Sequence, residues 1–202
     1  MIEYIRRKWT NYKNEKSLFG KISDVIFVLF LIAILIPATR KEISSFAIRI
    51  ISTSPDTVDA EEQKTVSMQA MQWRLISIDG DAVQLSDFNG KPVFINFWAT
   101  WCPPCVAELP EINDLQTAYR DNVVFLLITD ESPETVRAFM KQKNYDLPVY
   151  FIQSSVPEIF ATSSIPATFV VSPDNKIVIE KRGAAKWNSD SIHELLDKMI
   201  KK

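Results

Sequence analysis

Residues 96–109 read "NFWATWCPPCVAEL" and hold both cysteines of the 202-residue chain, Cys102 and Cys105. The pair follows a continuous apolar run, "PVFINFW" (92–98), which reads as a strand covered on both faces. A helical pattern comes next, with Val106, Leu109, Ile112, Leu115 and Tyr119 at three- and four-residue spacing. Cys102 therefore falls at a helix start. There a sulfur faces unpaired backbone N–H groups and the positive end of the macrodipole, and its thiolate is favoured. Thiolate is the attacking species in disulfide exchange. Cys105 lies one turn on, within reach to displace a mixed disulfide. Cys102 reads as the nucleophile and Cys105 as the resolving thiol. Pro103 and Pro104 suit the first turn, where their missing N–H groups would have had no intrahelical partner. The same absence removes two donors from the Cys102 sulfur, so the pair is expected to lean towards reduction.

Three other uses of two cysteines compete. A structural disulfide closing so short a loop adds little entropic stabilisation. Half a zinc site lacks a second pair, and His193 is the one histidine. Two inert buried thiols would not need the Trp-Cys-Pro-Pro-Cys setting.

Outward from this stretch the patterns alternate as in an α/β domain. "WRLISID" (73–79) and "AVQL" (82–85) read as a hairpin around Asp79-Gly80. "VVFLLIT" (123–129) is a second buried strand. Ser132-Pro133-Glu134 reads as a helix start, and Pro110 is expected to kink the helix before it. "LPVYF" (147–151) is a short strand and "VPEIF" (156–160) a short helix. "ATFVVS" (167–172) and "KIVIEKR" (176–182) flank a turn at Pro173-Asp174-Asn175, and Ile192 to Ile200 forms a closing amphipathic helix. The order predicts a mixed sheet with helices on both faces.

The amino-terminal fifth differs. Val25–Ile36 is uninterrupted apolar sequence, and Ile22–Thr39 carries only Asp24 as a charge. That approaches the about 17–25 residues of a spanning helix. Six basic residues precede the run and three follow it, which places the amino terminus inside by the positive-inside bias. A cleaved signal peptide or a buried soluble helix are the alternatives. "STSPDTVDAEEQKT" (52–65) has no apolar period and reads as a solvated linker. Residues 1–51 hold nine Lys/Arg against four Asp/Glu, and the remainder fourteen against twenty-one. So acidic a body argues against nucleic acid as a partner. With four glycines and no glycine-rich loop, phosphate cradling is not indicated either.

Trp101-Cys102-Pro103-Pro104-Cys105, then Ser164-Ile165-Pro166-Ala167-Thr168-Phe169, then Gly183, resemble the thioredoxin superfamily. Within it they resemble the membrane-anchored TlpA/ResA-type thiol-disulfide oxidoreductases of bacteria. The resemblance implies a thioredoxin-like three-layer sandwich with a central βα insert (about 147–160), preceded by a transmembrane helix. It divides the chain into a cytoplasmic segment (1–21), an anchor (22–39), a juxtamembrane segment and linker (40–66) and a thioredoxin-like domain (67–202). It implies that Pro166 is cis and lies against the sulfurs. Ile165 would offer its backbone to an extended client strand, and Trp101, Pro103 and Pro104 would complete the client-facing surface. Plain thioredoxins bury an aspartate six residues before the first cysteine, where this chain has Asn96. Glu108 lies three residues after Cys105, and in the ResA-like subgroup a glutamate at this offset is near the cysteines. Glu108 is therefore expected to accept the Cys105 proton, with Cys102, Cys105 and Glu108 as the catalytic set. An exposed helix glutamate is the plainer alternative.

The resemblance further implies a single-pass protein of the bacterial inner membrane, its catalytic domain periplasmic. Its partners would be client proteins with disulfides or thiols and a membrane electron donor of the DsbD/CcdA kind. Cytochrome c maturation would be a possible pathway. No prosthetic group or metal is expected beyond the Cys102–Cys105 couple. A peroxiredoxin-like thiol peroxidase and a non-catalytic peptide-binding module are the rival functions.

Overall fold

The computed structural model describes residues 17–35, 44–45 and 48–201. Two compact units divide the chain between Ile43 and Ser44. The first contains helix α1 (Leu18–Leu35), whose large side chains from Val25 to Phe30 are all exposed. Among the described residues no helix is long and apolar enough to cross a membrane. Positions 36–39 of the expected anchor, and most of 1–21, lie outside the described residues.

The second unit is built on one seven-stranded mixed sheet. Its strands are β1 (Arg74–Ser77), β2 (Ala82–Gln84), β3 (Val93–Phe97), β4 (Val124–Ile128), β5 (Val149–Ile152), β6 (Ala167–Val171) and β7 (Ile177–Arg182). They lie in the order β2-β1-β5-β4-β3-β6-β7. β3, β4 and β5 run parallel, while β1 and β6 flank them antiparallel. The β1–β2 hairpin turns at Gly80, whose φ of 99° is a left-handed conformation that glycine adopts without steric cost.

Period-two alternation divides the side chains of the central strands between two cores. Phe94, Phe125, Leu127 and Val170 face one, and Val93, Ile95, Phe97, Leu126 and Phe169 the other. The first core is covered by the three long helices of the unit. These are α3 (Pro103–Tyr119), α4 (Pro133–Lys143) and α5 (Asp190–Ile200), which contribute Leu109, Ile112, Leu115, Val136, Met140, Ile192 and Leu196. The second core is covered by lesser pieces: the single turn α2 (Met68–Met71), two 3-10 turns at Leu85–Phe88 and Glu158–Phe160, and Trp73. Helical structure thus lies on both faces, but unequally. The expected short helix at 156–160 is one 3-10 turn.

Two of the long helices, α3 and α4, begin where their sequence directs. Ser132 accepts from the Thr135 N–H at 3.3 Å with Pro133 following, and α4 closes at Asn144 in the left-handed region. α3 begins at Cys102 and runs on through Pro110 to Tyr119. Tyr119 donates to Asp197 at 2.9 Å, joining the end of α3 to α5.

The segment read as a solvated linker is instead laid along the sheet. The Lys186 N–H donates to the Thr53 carbonyl, the Val58 N–H to Val178, the Ile177 N–H to Lys64 and the Val66 N–H to Asn175. These are backbone bonds, so most charged side chains of 52–65 stay exposed while the main chain docks; Ser52 and Gln63, partly buried, donate to the Ile48 and Val58 carbonyls. Composition registers the side chains alone.

Candidate active site

Cys102 and Cys105 form a disulfide at the first turn of α3. Cys102 is the helix N-cap, in extended conformation, and its Sγ accepts from the Cys105 N–H at 3.3 Å. Pro103 and Pro104 occupy the next two positions and supply no N–H. One backbone donor therefore serves this sulfur where a first turn without prolines would present more.

The loop before Cys102 is pinned from outside its own element. Glu131, after β4, accepts from the Thr100 N–H at 2.6 Å and the Thr100 hydroxyl at 2.7 Å. The opposite wall is the peptide Ile165–Pro166, which is cis. The Ile165 carbonyl oxygen lies 3.8 Å from Cys102 Sγ. The Gly183 N–H donates to the Pro166 carbonyl at 2.9 Å and holds the end of β7 against this turn. Trp101 is 58% exposed beside the disulfide. It is not a core residue. Ser45, buried, donates its hydroxyl to the Pro103 carbonyl at 2.9 Å, so the segment before the sheet also reaches the site.

Glu108 is 2% exposed. The helical seam includes Cys105 and Glu108, three residues apart and on one face, while Val106 is only half-buried. Glu108 Oε1 accepts from Asn96 Nδ2 at 2.9 Å. Its Oε2 accepts from Trp187 Nε1 at 2.9 Å and the Ala185 N–H at 3.2 Å. Asn96 and Thr168 are directly paired across β3 and β6, and Asn96 Nδ2 also donates to Thr168 Oγ1 at 2.8 Å. Burial raises the Glu108 carboxyl to about 7. The bonds from Trp187, Asn96 and Ala185 oppose that rise, and the charge of Glu111 adds to it. A carboxyl poised there can take and return a proton at neutral pH.

The structure thus brings Trp101, Cys102, Pro103, Pro104, Cys105, Ile165 and Pro166 together around the disulfide: Trp101 is exposed, Pro103, Pro104 and Ile165 are half-buried, Cys102, Cys105 and Pro166 are buried, and Glu108 lies one helical turn on from Cys105. The plainer reading of Glu108 as an exposed helix acid does not hold. Sequence reasoning did not find Glu131, Trp187 or Ser45. The first two act from 31 and 79 residues away, with no local pattern to mark them. Among the described residues no group of three or more His, Cys, Asp or Glu is placed to hold a metal ion. The redox chemistry resides in the two sulfurs.

This fold and this cysteine pair define a thioredoxin-like thiol-disulfide oxidoreductase. The chain belongs to the AhpC/TSA family, which it matches over residues 66–179. It is 30% identical over 142 residues to the thiol-disulfide oxidoreductase ResA of Bacillus thuringiensis subsp. konkukian, covering 69% of this chain and 81% of that protein. The ResA protein of Oceanobacillus iheyensis is 26% identical over 182 residues, 89% of this chain and 88% of the relative. Among solved structures, the pneumococcal exposed lipoprotein thioredoxin of Streptococcus pneumoniae superposes with a TM-score of 0.53 at 28% identity. That match covers 62% of this chain and 98% of the other.

Proposed function

We propose that this oxidoreductase works as a reductant of extracytoplasmic client proteins, tethered to the bacterial inner membrane with its catalytic unit on the outer side. The reductive direction rests on one observation: the Cys102 sulfur receives a single first-turn backbone donor because Pro103 and Pro104 have none. A less stabilised thiolate makes the dithiol a better reductant. The tether is supported by the apolar, outward-exposed side chains of α1 and by the basic residues before it.

On this reading the steps are as follows. Reduced Cys102, as thiolate, attacks one sulfur of a client disulfide lying along Ile165. A Cys102–client bond forms, and the other client sulfur leaves and takes a proton. The Cys105 thiol passes its proton to Glu108, and its thiolate attacks Cys102 Sγ. The 102–105 disulfide closes and the second client sulfur departs to be protonated. Two electrons and two protons pass to the client. A membrane electron donor of the DsbD/CcdA kind would restore the dithiol. Apocytochromes c, whose cysteines must be reduced before haem attachment, are clients that fit this direction.

The deciding measurement is the midpoint potential of the Cys102–Cys105 couple. A value near that of thioredoxin, about −270 mV, is expected; one at or above about −180 mV would reverse the direction. Cys105→Ser should accumulate the mixed disulfide with client, which Cys102→Ser should not form.

A further inference from the structure

The two oxygens of Glu108 have partners of different kinds. Oε2 meets the Trp187 indole N–H and the Ala185 backbone N–H, at 2.9 and 3.2 Å. Both groups donate and neither can accept. Oε1 meets the side-chain amide of Asn96, which carries a donor at one end and an acceptor at the other. The donor end faces Glu108 and Thr168 Oγ1 together, at 2.9 and 2.8 Å. Asn96 Oδ1 is buried with no partner among the described residues. That arrangement suits a charged carboxylate. A half-turn of the amide would set its oxygen between the same two groups. It could then accept from a protonated Oε1 and from the Thr168 hydroxyl, and the unpartnered end would become the NH2. Each orientation satisfies one protonation state of Glu108.

We propose that Asn96 and Trp187 are positioning residues that give the two oxygens of Glu108 separate tasks. Trp187, with the Ala185 N–H, keeps Oε2 a permanent acceptor. The proton leaving the Cys105 thiol lodges on Oε1, and the Asn96 amide turns over to receive it. In that transfer the thiol becomes thiolate and the carboxylate becomes a carboxylic acid, with no other reactant. An aspartate at position 96 could not serve this way, since a carboxylate donates to nothing.

The charges bearing on Glu108 are few. Glu111, on the same helix, repels its negative charge and lies 3.9 Å from Arg49. Towards Glu108 β3 turns Asn96, β6 turns Thr168 by way of that amide, and the loop after β7 turns Ala185 and Trp187. None of these titrates, so Glu108 and the reduced Cys105 are the pair whose protons the arrangement governs. This inference rests on Glu108 being the proton acceptor for Cys105.

The test uses the reduced, 15N-labelled protein titrated from acid to alkaline pH. It reads the rate of cysteine alkylation together with the side-chain resonances of Asn96 and Trp187. In the unaltered protein the Asn96 amide signals should move with the same midpoint as the alkylation profile. Trp187→Phe removes one donor to the carboxylate and should raise that midpoint by about one pH unit. Glu108→Gln should remove the step of the alkylation profile that shares the Asn96 midpoint, leave the thiols' own ionisation step in place, and hold the Asn96 signals still. Stationary Asn96 signals in the unaltered protein, with that shared step still lost in Glu108→Gln, would overturn the positioning roles and leave Glu108 as acceptor. An alkylation profile unchanged by Glu108→Gln would overturn that acceptor role and this inference with it. The Asn96 reading needs no core substitution, so it decides the matter even if Trp187→Phe folds poorly.

Discussion

The two sides of the disulfide are made on opposite principles. Towards Cys102 the neighbours are the Ile165 carbonyl, the buried cis Pro166 and the exposed Trp101. Towards Cys105 the interior is closed, and every polar neighbour of Glu108 is held by a specific bond. An outer face that reads mainly main chain can accept many client sequences, since each has the same backbone. On the proposed mechanism the inner face controls one proton, a task that burial with fixed donors suits. Recognition is left loose where variety arrives and made strict where the chemistry is constant.

If that contrast is right, the largest effect should come from the inner side. Glu108→Gln should slow client reduction by roughly 100-fold near pH 7, the scale of a lost proton acceptor. It should leave initial attack by Cys102 much less affected, as rapid-mixing kinetics of mixed-disulfide formation would show. Equal slowing of both steps would mean that Glu108 serves the whole site rather than Cys105.

A second effect should appear in stability. The oxidised fold holds Glu108 near 7 against an ordinary value of 4.5. The protonated form is therefore favoured on folding. The contribution is present in full below about pH 4.5 and is lost as pH rises to about 7, amounting to roughly 3 kcal/mol at most. Urea unfolding of the oxidised protein across this range should show stability falling with pH. Glu108→Gln should remove that part of the slope.

Outside the interior, Glu131→Ala deletes two charge-assisted bonds to Thr100 and should cost about 1–3 kcal/mol in the same unfolding assay. The smallest change belongs to the outer face. Trp101→Ala should alter stability by less than about 0.5 kcal/mol. It should raise the KM for protein clients roughly fivefold, about 1 kcal/mol, while reaction with a small disulfide reagent stays unchanged. A large loss of stability from Trp101→Ala would erase the distinction between the two sides.

The contrast also explains what could be read in advance. β3 and β4 were legible because strands covered on both sides are uninterrupted runs, and α4 because Ser132, Pro133 and Glu134 announce it. Asn96 drew notice because it stands where plain thioredoxins bury an aspartate, and Glu108 because the ResA-like subgroup carries a glutamate at its offset from Cys105. Their partner Trp187 did not, because a contact across 79 residues leaves no periodicity in either segment. The modest cover of the second core was legible only in part: 156–160 read as a short helix and is a single 3-10 turn, whereas the single turn Met68–Met71 is too short to establish a helical repeat.

The docking of residues 53–66 bears on how the catalytic unit can be cut free. A fragment starting at residue 67 would strip the main-chain partners from Lys186, Val178 and Ile177, and with them the cover over the start of β7. Bare N–H and C=O groups on a terminal strand invite a neighbouring molecule to zip on, and such a fragment would be prone to clump. The safer scissors point lies ahead of Ser44, where the chain itself divides.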